Sequence, residues 1–243
     1  IEKYNYEKFG FIIISKSGKT PETLAQFGSL IEIFDKKKKL IQFYKKCLII
    51  TEDRPSPLRN IAIKNKCLLL NHEKEIGGRY SVFSNVGAVP AVLAGFNIKK
   101  FHQGAKDTLN YLTKNNNYIV HSRFAKILSS SLQINVMMTY SDSLYYFGKW
   151  FLQLWAESSG KNGLGITPIH SIGTTDQHSQ LQLFLDGPKD KFFTFIATNH
   201  KKKGLKINKQ IMIQNNSSFL GGKKMGDLMD AEQKATISTF IKK

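Results

Sequence analysis

Residues 9–14 read Phe-Gly-Phe-Ile-Ile-Ile, an apolar run rich in β-branched side chains. Such a run suits a strand buried on both faces of a parallel sheet. It stops abruptly at Ser15-Lys16-Ser17-Gly18-Lys19-Thr20-Pro21-Glu22-Thr23, which is small, hydroxylated and closed by a proline. Proline is favoured in the first turn of a helix, and Leu24 to Phe34 carries apolar residues at helical spacing, so a helix is expected to start near Pro21. Strand, hydroxyl loop and helix form the first unit of the chain.

The same signal recurs. Cys47 to Thr51 and Cys67 to Leu70 read as strands, with Arg54-Pro55-Ser56-Pro57-Leu58 introducing a short helix between them. Gly77 to Phe96 reads as a tightly packed helix that Pro90 should kink or divide. A basic helical region follows Asn97 to about Lys114. A second series then comprises a helix across Phe124 to Leu132, a strand at Ile134 to Thr139 and an amphipathic helix from Leu144 to about Ser158. Strands around Ile166 to Ile169 and at Phe192 to Ile196, and a closing helix from Met225 to Ile241, complete it. The alternation predicts an α/β protein with mainly parallel sheets in two units of related design, residues 1–97 and 98–243.

Charge does not redirect this reading. Lys+Arg 36 against Asp+Glu 18 leaves +18 over 243 residues. The excess is nearly all lysine, with arginine only at Arg54, Arg59, Arg79 and Arg123. Arginine is the residue that clamps phosphates and reads base edges with a planar fork, so the balance speaks to solubility and nonspecific binding rather than to a nucleic-acid site. Cys47 and Cys67 adjoin apolar runs and read as small buried hydrophobes, without the spacing of a zinc site or a disulfide framework, which fits a reducing cytoplasm. No apolar stretch approaches the roughly 20 residues of a membrane span. Neither nucleic acid nor membrane is an expected partner.

Four segments carry residues of chemical interest. Ser15, Ser17, Thr20 and Thr23, with the charge of Lys16 beside them, would surround a helix amino terminus, where the dipole stabilises a phosphate. The spacing is not that of a nucleotide loop, so a small phosphorylated metabolite is favoured; the alternative is simple capping. In Gly77-Gly78-Arg79-Tyr80-Ser81 the glycines let Arg79 approach a ligand, or else Arg79 is a surface residue in a turn. Glu157 ends an aromatic, apolar helix, where partial desolvation would raise it towards the range of a general base; otherwise it is a solvated carboxylate. His178, within Gly173-Thr174-Thr175-Asp176-Gln177-His178-Ser179-Gln180, is either a proton carrier near neutrality or a structural histidine.

Taken in order, Ile14 to Thr23, Gly77 to Ser81, Gln153-Leu154-Trp155-Ala156-Glu157-Ser158 and Gly173 to Gln182 resemble the phosphoglucose isomerase (glucose-6-phosphate isomerase) family in its bacterial form, over nearly the whole chain. The resemblance implies two sugar-isomerase (SIS) type three-layer αβα units. It implies interconversion of glucose 6-phosphate and fructose 6-phosphate through a cis-enediol in glycolysis and gluconeogenesis, with no cofactor and no metal. By the same resemblance Ser15, Lys16, Ser17, Thr20 and Thr23 hold the sugar phosphate and Gly78 lines the site. Glu157 moves the proton between C1 and C2, Arg79 steadies the enediolate, and His178 assists ring opening from the neighbouring subunit of a homodimer.

Three departures accompany it. Lys19 stands where Thr or Glu is common; the family's earlier Gly-Gly-Ser loop would lie before Ile1; and its closing Asp-Gln-x-x-Val-Glu-x-x-Lys segment has no match before Lys243. The chain is therefore expected to be a middle piece of a longer enzyme. A noncatalytic sugar-phosphate sensor, such as the SIS domain of a regulator or amidotransferase, is the alternative, separated by Glu157 and His178, which a sensor does not need. A basic nucleic-acid-binding protein is the third reading.

Overall fold

The computed structural model describes residues 8–114, 122, 125–127 and 131–242. The chain divides into two compact units, Ile1–Asn116 and Asn117–Lys243. Each is an α/β unit built on a three-stranded parallel sheet flanked by helices.

In the first unit β1 (Phe11–Ile14), β2 (Cys47–Glu52) and β3 (Leu68–His72) lie side by side in sequence order. Ile13 pairs with Ile49 and Ile49 with Leu69. The crossovers are α1 (Pro21–Lys36) with α2 (Leu40–Lys45), then α3 (Pro57–Lys64). β2 is the strand closed in on both faces, with Ile49 and Ile50 fully buried. Among the described residues β1 is an edge strand: Ile12 is 38% exposed, so the double-sided burial expected of this run is only half realised there. Its other face packs into aromatic rings. Phe34 stacks on Phe43 with centroids 4.4 Å apart, and Phe11 meets Phe43 edge-on at 5.0 Å. Burying each such ring contributes roughly 1.5–3 kcal/mol, and this cluster is what fastens α1 and α2 to the sheet.

The unit continues beyond β3. The helix expected over Gly77–Phe96, kinked or divided at Pro90, is instead a 3-10 helix, Gly78–Phe83, followed by α4 (Asn85–Leu93). Pro90 lies inside α4 and does not divide it. The break falls at Ser84, whose hydroxyl donates to Ser81 O at 2.8 Å and accepts from Val86 N at 3.3 Å. A side chain that ends one helix and caps the next decides the boundary more strongly than the proline does. α5 (Ile98–Lys114) begins where the Asn97 side chain accepts from Lys100 N at 3.0 Å, and it belongs to the first unit.

In the second unit the order is β5-β4-β6, all parallel, with β4 (Ile134–Thr139) between β5 (Thr167–Ile172) and β6 (Lys191–Ile196). Val136 and Met138 are fully buried on the central strand. α6 (Tyr145–Ser159) crosses from β4 to β5, and α7 (Gln177–Asp186) from β5 to β6. α7 was not expected, because its polar opening hides the helical spacing. β5 runs three residues further than Ile166 to Ile169 implied. A short α8 (Lys209–Gln214) and a long α9 (Met225–Lys242) close the unit. Of the helix expected across Phe124–Leu132, 125–127 are helical; 124 and 128–130 lie outside the described residues.

Candidate functional site

The carboxyl edge of the first sheet gathers the hydroxyl loop. β1 ends at Ile14, and Ser15 is buried directly after it, its N–H donating to Ile50 O at 3.1 Å. Ser15 Oγ accepts from Gly18 N at 3.1 Å and lies 2.8 Å from Thr20 Oγ1. Ser17 Oγ accepts from Lys19 N at 3.1 Å. The loop is thus folded on its own hydroxyls before it enters α1.

Capping does not account for those hydroxyls. Thr20 is the residue before the first helical position of α1, yet its side chain makes no capping bond to the helix. Its hydroxyl turns to Ser15 instead. A helix start without a side-chain cap keeps its positive end available for an anion, which is the arrangement a bound phosphate requires. Thr23 sits in the first turn, half-buried.

Gly18 makes the tight turn possible. Its φ is +62°, and a Cβ on it would lie 2.1 Å from Ser56 Oγ. Ser56 in turn caps α3, accepting from Arg59 N at 3.3 Å. The loop is therefore locked to the start of the next crossover helix as well, through Leu58 N donating to Gly18 O at 3.1 Å.

The Gly77-Gly78-Arg79 segment follows β3 and lies at the same edge. Lys16 bridges the distance: its Nζ donates to Ile76 O at 2.6 Å and to Lys74 O at 3.0 Å. It also pairs with Glu52 Oε1 at 3.3 Å. Glu52, at the end of β2 and buried, holds Arg54 Nε at 2.6 Å on its other oxygen. Arg79 is half-buried, with its guanidinium carbon 4.8 Å from the centroid of Tyr80. Gly78 is exposed, and a Cβ on it would meet nothing within 4 Å, so open space rather than close packing surrounds it. An open cavity of about 670 Å³ lies here, lined by Glu52, Asp53, Arg54, His72 and Lys74. Glu52 and Arg54 were missed from the sequence; a carboxylate directly after an apolar strand was the available signal.

The second unit carries the other two candidates. Glu157 is exposed in the last turn of α6, with Gln153 Nε2 donating to its Oε2 at 3.5 Å. The desolvation expected of it is not supplied by the described residues of this unit. Trp155, two residues earlier, donates its indole N–H to Ile166 O at 2.9 Å, which fixes that end of α6 beside the amino end of β5. His178 is exposed in the first turn of α7, beyond the carboxyl end of β5. There Asp176 Oδ2 accepts from Ile172 N at 2.6 Å and Gln180 accepts from Ser171 Oγ at 2.7 Å. Those two polar residues of the motif hold the turn in place and leave His178 to solvent. A six-residue strand at about 3.3 Å per residue separates the two ends, so within this unit Glu157 and His178 are not brought into one site.

The crevice between β4 and β6, where the strand order reverses, is where an open parallel sheet usually takes a ligand. Here it is closed by the chain itself. Gln233 of α9 accepts from Thr198 N at 2.9 Å and donates to Thr198 O at 3.1 Å, while Thr198 Oγ1 donates to Tyr140 O at 2.7 Å. Among the described residues no three of His, Cys, Asp and Glu stand together as a metal-ligand set, and no helix is long and apolar enough to cross a membrane.

A family model described as phosphoglucose isomerase matches residues 1–241. A probable glucose-6-phosphate isomerase of Methanococcus maripaludis is 39% identical over 215 residues, covering 85% of this chain and 48% of that protein. A glucose-6-phosphate isomerase of Campylobacter jejuni is 35% identical over 250 residues, covering 99% of this chain and 60% of that protein. The crystal structure of a hypothetical protein from Thermus thermophilus superimposes with a TM-score of 0.88 at 27% identity, covering 99% of this chain and 59% of that one. The chain thus spans about half the length of the curated relatives it matches.

Proposed function

The chain belongs to the phosphoglucose isomerase family, and from that premise we propose that it carries the substrate site of an aldose-ketose isomerase acting on glucose 6-phosphate and fructose 6-phosphate. The observation that carries this reading is the convergence at one sheet edge of the uncapped start of α1, the hydroxyls of Ser15 and Thr20, and the Gly78–Arg79 segment. An anion site and a permanent positive charge next to open space suit a phosphorylated substrate whose reacting carbons develop negative oxygen.

In this reading Ser15, Ser17, Thr20 and Thr23 hold the phosphate. Glu157 removes the proton from C2 of the open-chain aldose and returns it to C1 of the cis-enediol. The charge that develops on the enediolate oxygen meets Arg79, and His178 passes a hydroxyl proton during ring opening. A carboxylate suits a carbon-bound proton, and an imidazole suits oxygen-bound ones near neutral pH. The separation of Glu157 and His178 along β5 supports a homodimer in which each site takes its histidine from the second copy.

Titration of the chain with inorganic phosphate and with fructose 6-phosphate, followed by calorimetry, tests the assignment. Both are expected to bind, and Ser15→Ala with Thr20→Ala together should weaken both by at least tenfold. Equal affinity in a folded double variant would remove the phosphate site from this loop.

A further inference from the structure

Lys16 lies inside the hydroxyl loop, and its charge makes it an obvious phosphate ligand. Its surroundings give it another task. An ammonium group has three N–H donors and no acceptor. Two of them are used: Lys16 Nζ donates to Ile76 O at 2.6 Å and to Lys74 O at 3.0 Å, while Glu52 Oε1 stands 3.3 Å away as an ion-pair partner. The two carbonyls belong to a segment 58 and 60 residues away in the chain, immediately before Gly77, Gly78 and Arg79.

The anchor is built from both sides. Glu52 has a side chain only 7% exposed, and its second oxygen is held by Arg54 Nε at 2.6 Å, so the carboxylate is fixed before it meets Lys16. The backbone of Lys16 is fixed too. Its carbonyl accepts from Glu52 N at 3.1 Å and from Thr51 Oγ1 at 3.2 Å. A lysine tied at both ends acts as a strut of set length between the loop at the start of α1 and the segment that carries Arg79.

We infer that Lys16 is a positioning residue: its ammonium, steadied by Glu52, sets the place of Gly78 and Arg79 relative to the phosphate loop, and is not itself a phosphate ligand. The inference rests on the reading of the two segments as one sugar-phosphate site. Its consequence is a split between two ligands. Phosphate alone touches the hydroxyls and the helix start, which do not depend on the strut. A hydroxamate analogue of the enediolate, carrying a terminal phosphate, also needs Arg79 at the right distance.

The experiment is binding of inorganic phosphate and of that hydroxamate to the wild-type chain, Lys16→Met, Arg79→Ala and the double variant. Methionine keeps the length and the apolar stem, and Glu52 retains Arg54, so no buried carboxylate is stranded. Expected are phosphate affinity within about twofold of wild type and hydroxamate affinity reduced at least tenfold in Lys16→Met, with no further loss when Arg79→Ala is added. Glu52→Gln should show the same split more weakly, and replaces Lys16→Met if that variant does not fold. Equal loss for both ligands would make Lys16 a phosphate ligand and overturn the inference. So would unchanged hydroxamate affinity, or additive losses in the double variant. Wild-type chain that binds neither ligand defeats the site reading itself; the strut is then judged by amide exchange at 76–80, which Lys16→Met should speed at least tenfold and which, unchanged, refutes it.

Discussion

Gly18 and Ser56 occupy each other's space: the position a Cβ would take on Gly18 is 2.1 Å from Ser56 Oγ and 2.8 Å from Ser56 Cβ. The turn of the hydroxyl loop and the cap of α3 are therefore one packed object, although 38 positions separate them in the chain.

Gly18→Ala should accordingly lose stability on two counts. A side chain at φ +62° is strained by about 1–2 kcal/mol. Displacing the Ser56 cap removes about 1 kcal/mol more. Urea unfolding should show a fall of roughly 2–3 kcal/mol, and a change under 0.5 kcal/mol would mean that the loop accommodates the methyl by moving.

Acid should weaken the second unit through His170. Its imidazole is held below the ordinary value of 6.5 chiefly by burial, then by Lys149, with Asp176 opposing. Nε2 lies 2.9 Å from Thr139 Oγ1, and a Cβ on Gly148 would fall 2.3 Å from the ring, so the packing leaves no room for rearrangement. Below 6.5 the unfolded chain binds a proton that the native ring refuses, so stability is complete above that value and declines as pH falls towards the lowered native one. Denaturant midpoints measured across this window should drop on acidification in the wild type and drop less in His170→Gln. Parallel curves would assign the acid sensitivity to other groups.

The two thiols should differ in reactivity. Burial, and then Cys67, pushes Cys47 up to about 12, and its Sγ donates to Phe43 O at 3.3 Å. Cys67 is raised as well, mainly by burial, but is only half-buried. A maleimide at pH 8 should label Cys67 first and reach Cys47 only when the unit unfolds, as read by mass spectrometry of Cys67→Ser and Cys47→Ser chains. Equal labelling rates in native protein would contradict the packing of the first core.

Glu157→Gln and His178→Ala should complement one another. Because β5 stands between the two side chains, a site that uses both draws them from different copies. In an active preparation each variant alone should lose at least a hundredfold in turnover of fructose 6-phosphate. An equimolar mixture should recover up to a quarter of the wild-type rate after verified subunit exchange, because half of the dimers are then mixed and each of those has one intact site. No recovery would place both groups in one chain's site.

The parts of this architecture that were legible in the sequence are those written in contiguous residues. Phe11–Ile14 and Pro21–Lys36 announce strand and helix by composition, spacing and the proline at the helix start. The division at Ser84 was not legible, because Pro90 is the louder local signal while the capping bonds to Ser81 and Val86 win in the fold. α7 was hidden by the polar Thr174–Gln180 opening. The hydroxyl loop could be read as a candidate site, but the reach of Lys16 to Glu52, Lys74 and Ile76 could not. Those partners are tens of residues apart, and periodicity carries no information about contacts at that range.

The strand orders also set how each sheet can be assembled as the chain is made. In the order β1-β2-β3 every new strand docks beside the last one finished, so the first sheet grows from one side without waiting. In the order β5-β4-β6 the third strand must return to the far side of the first. Until Ile196 has left the ribosome, Ile134–Thr139 carries one unpaired, largely apolar border, open to pairing with another nascent chain. The second unit is thus the one that holds its central strand open for the longer stretch of synthesis.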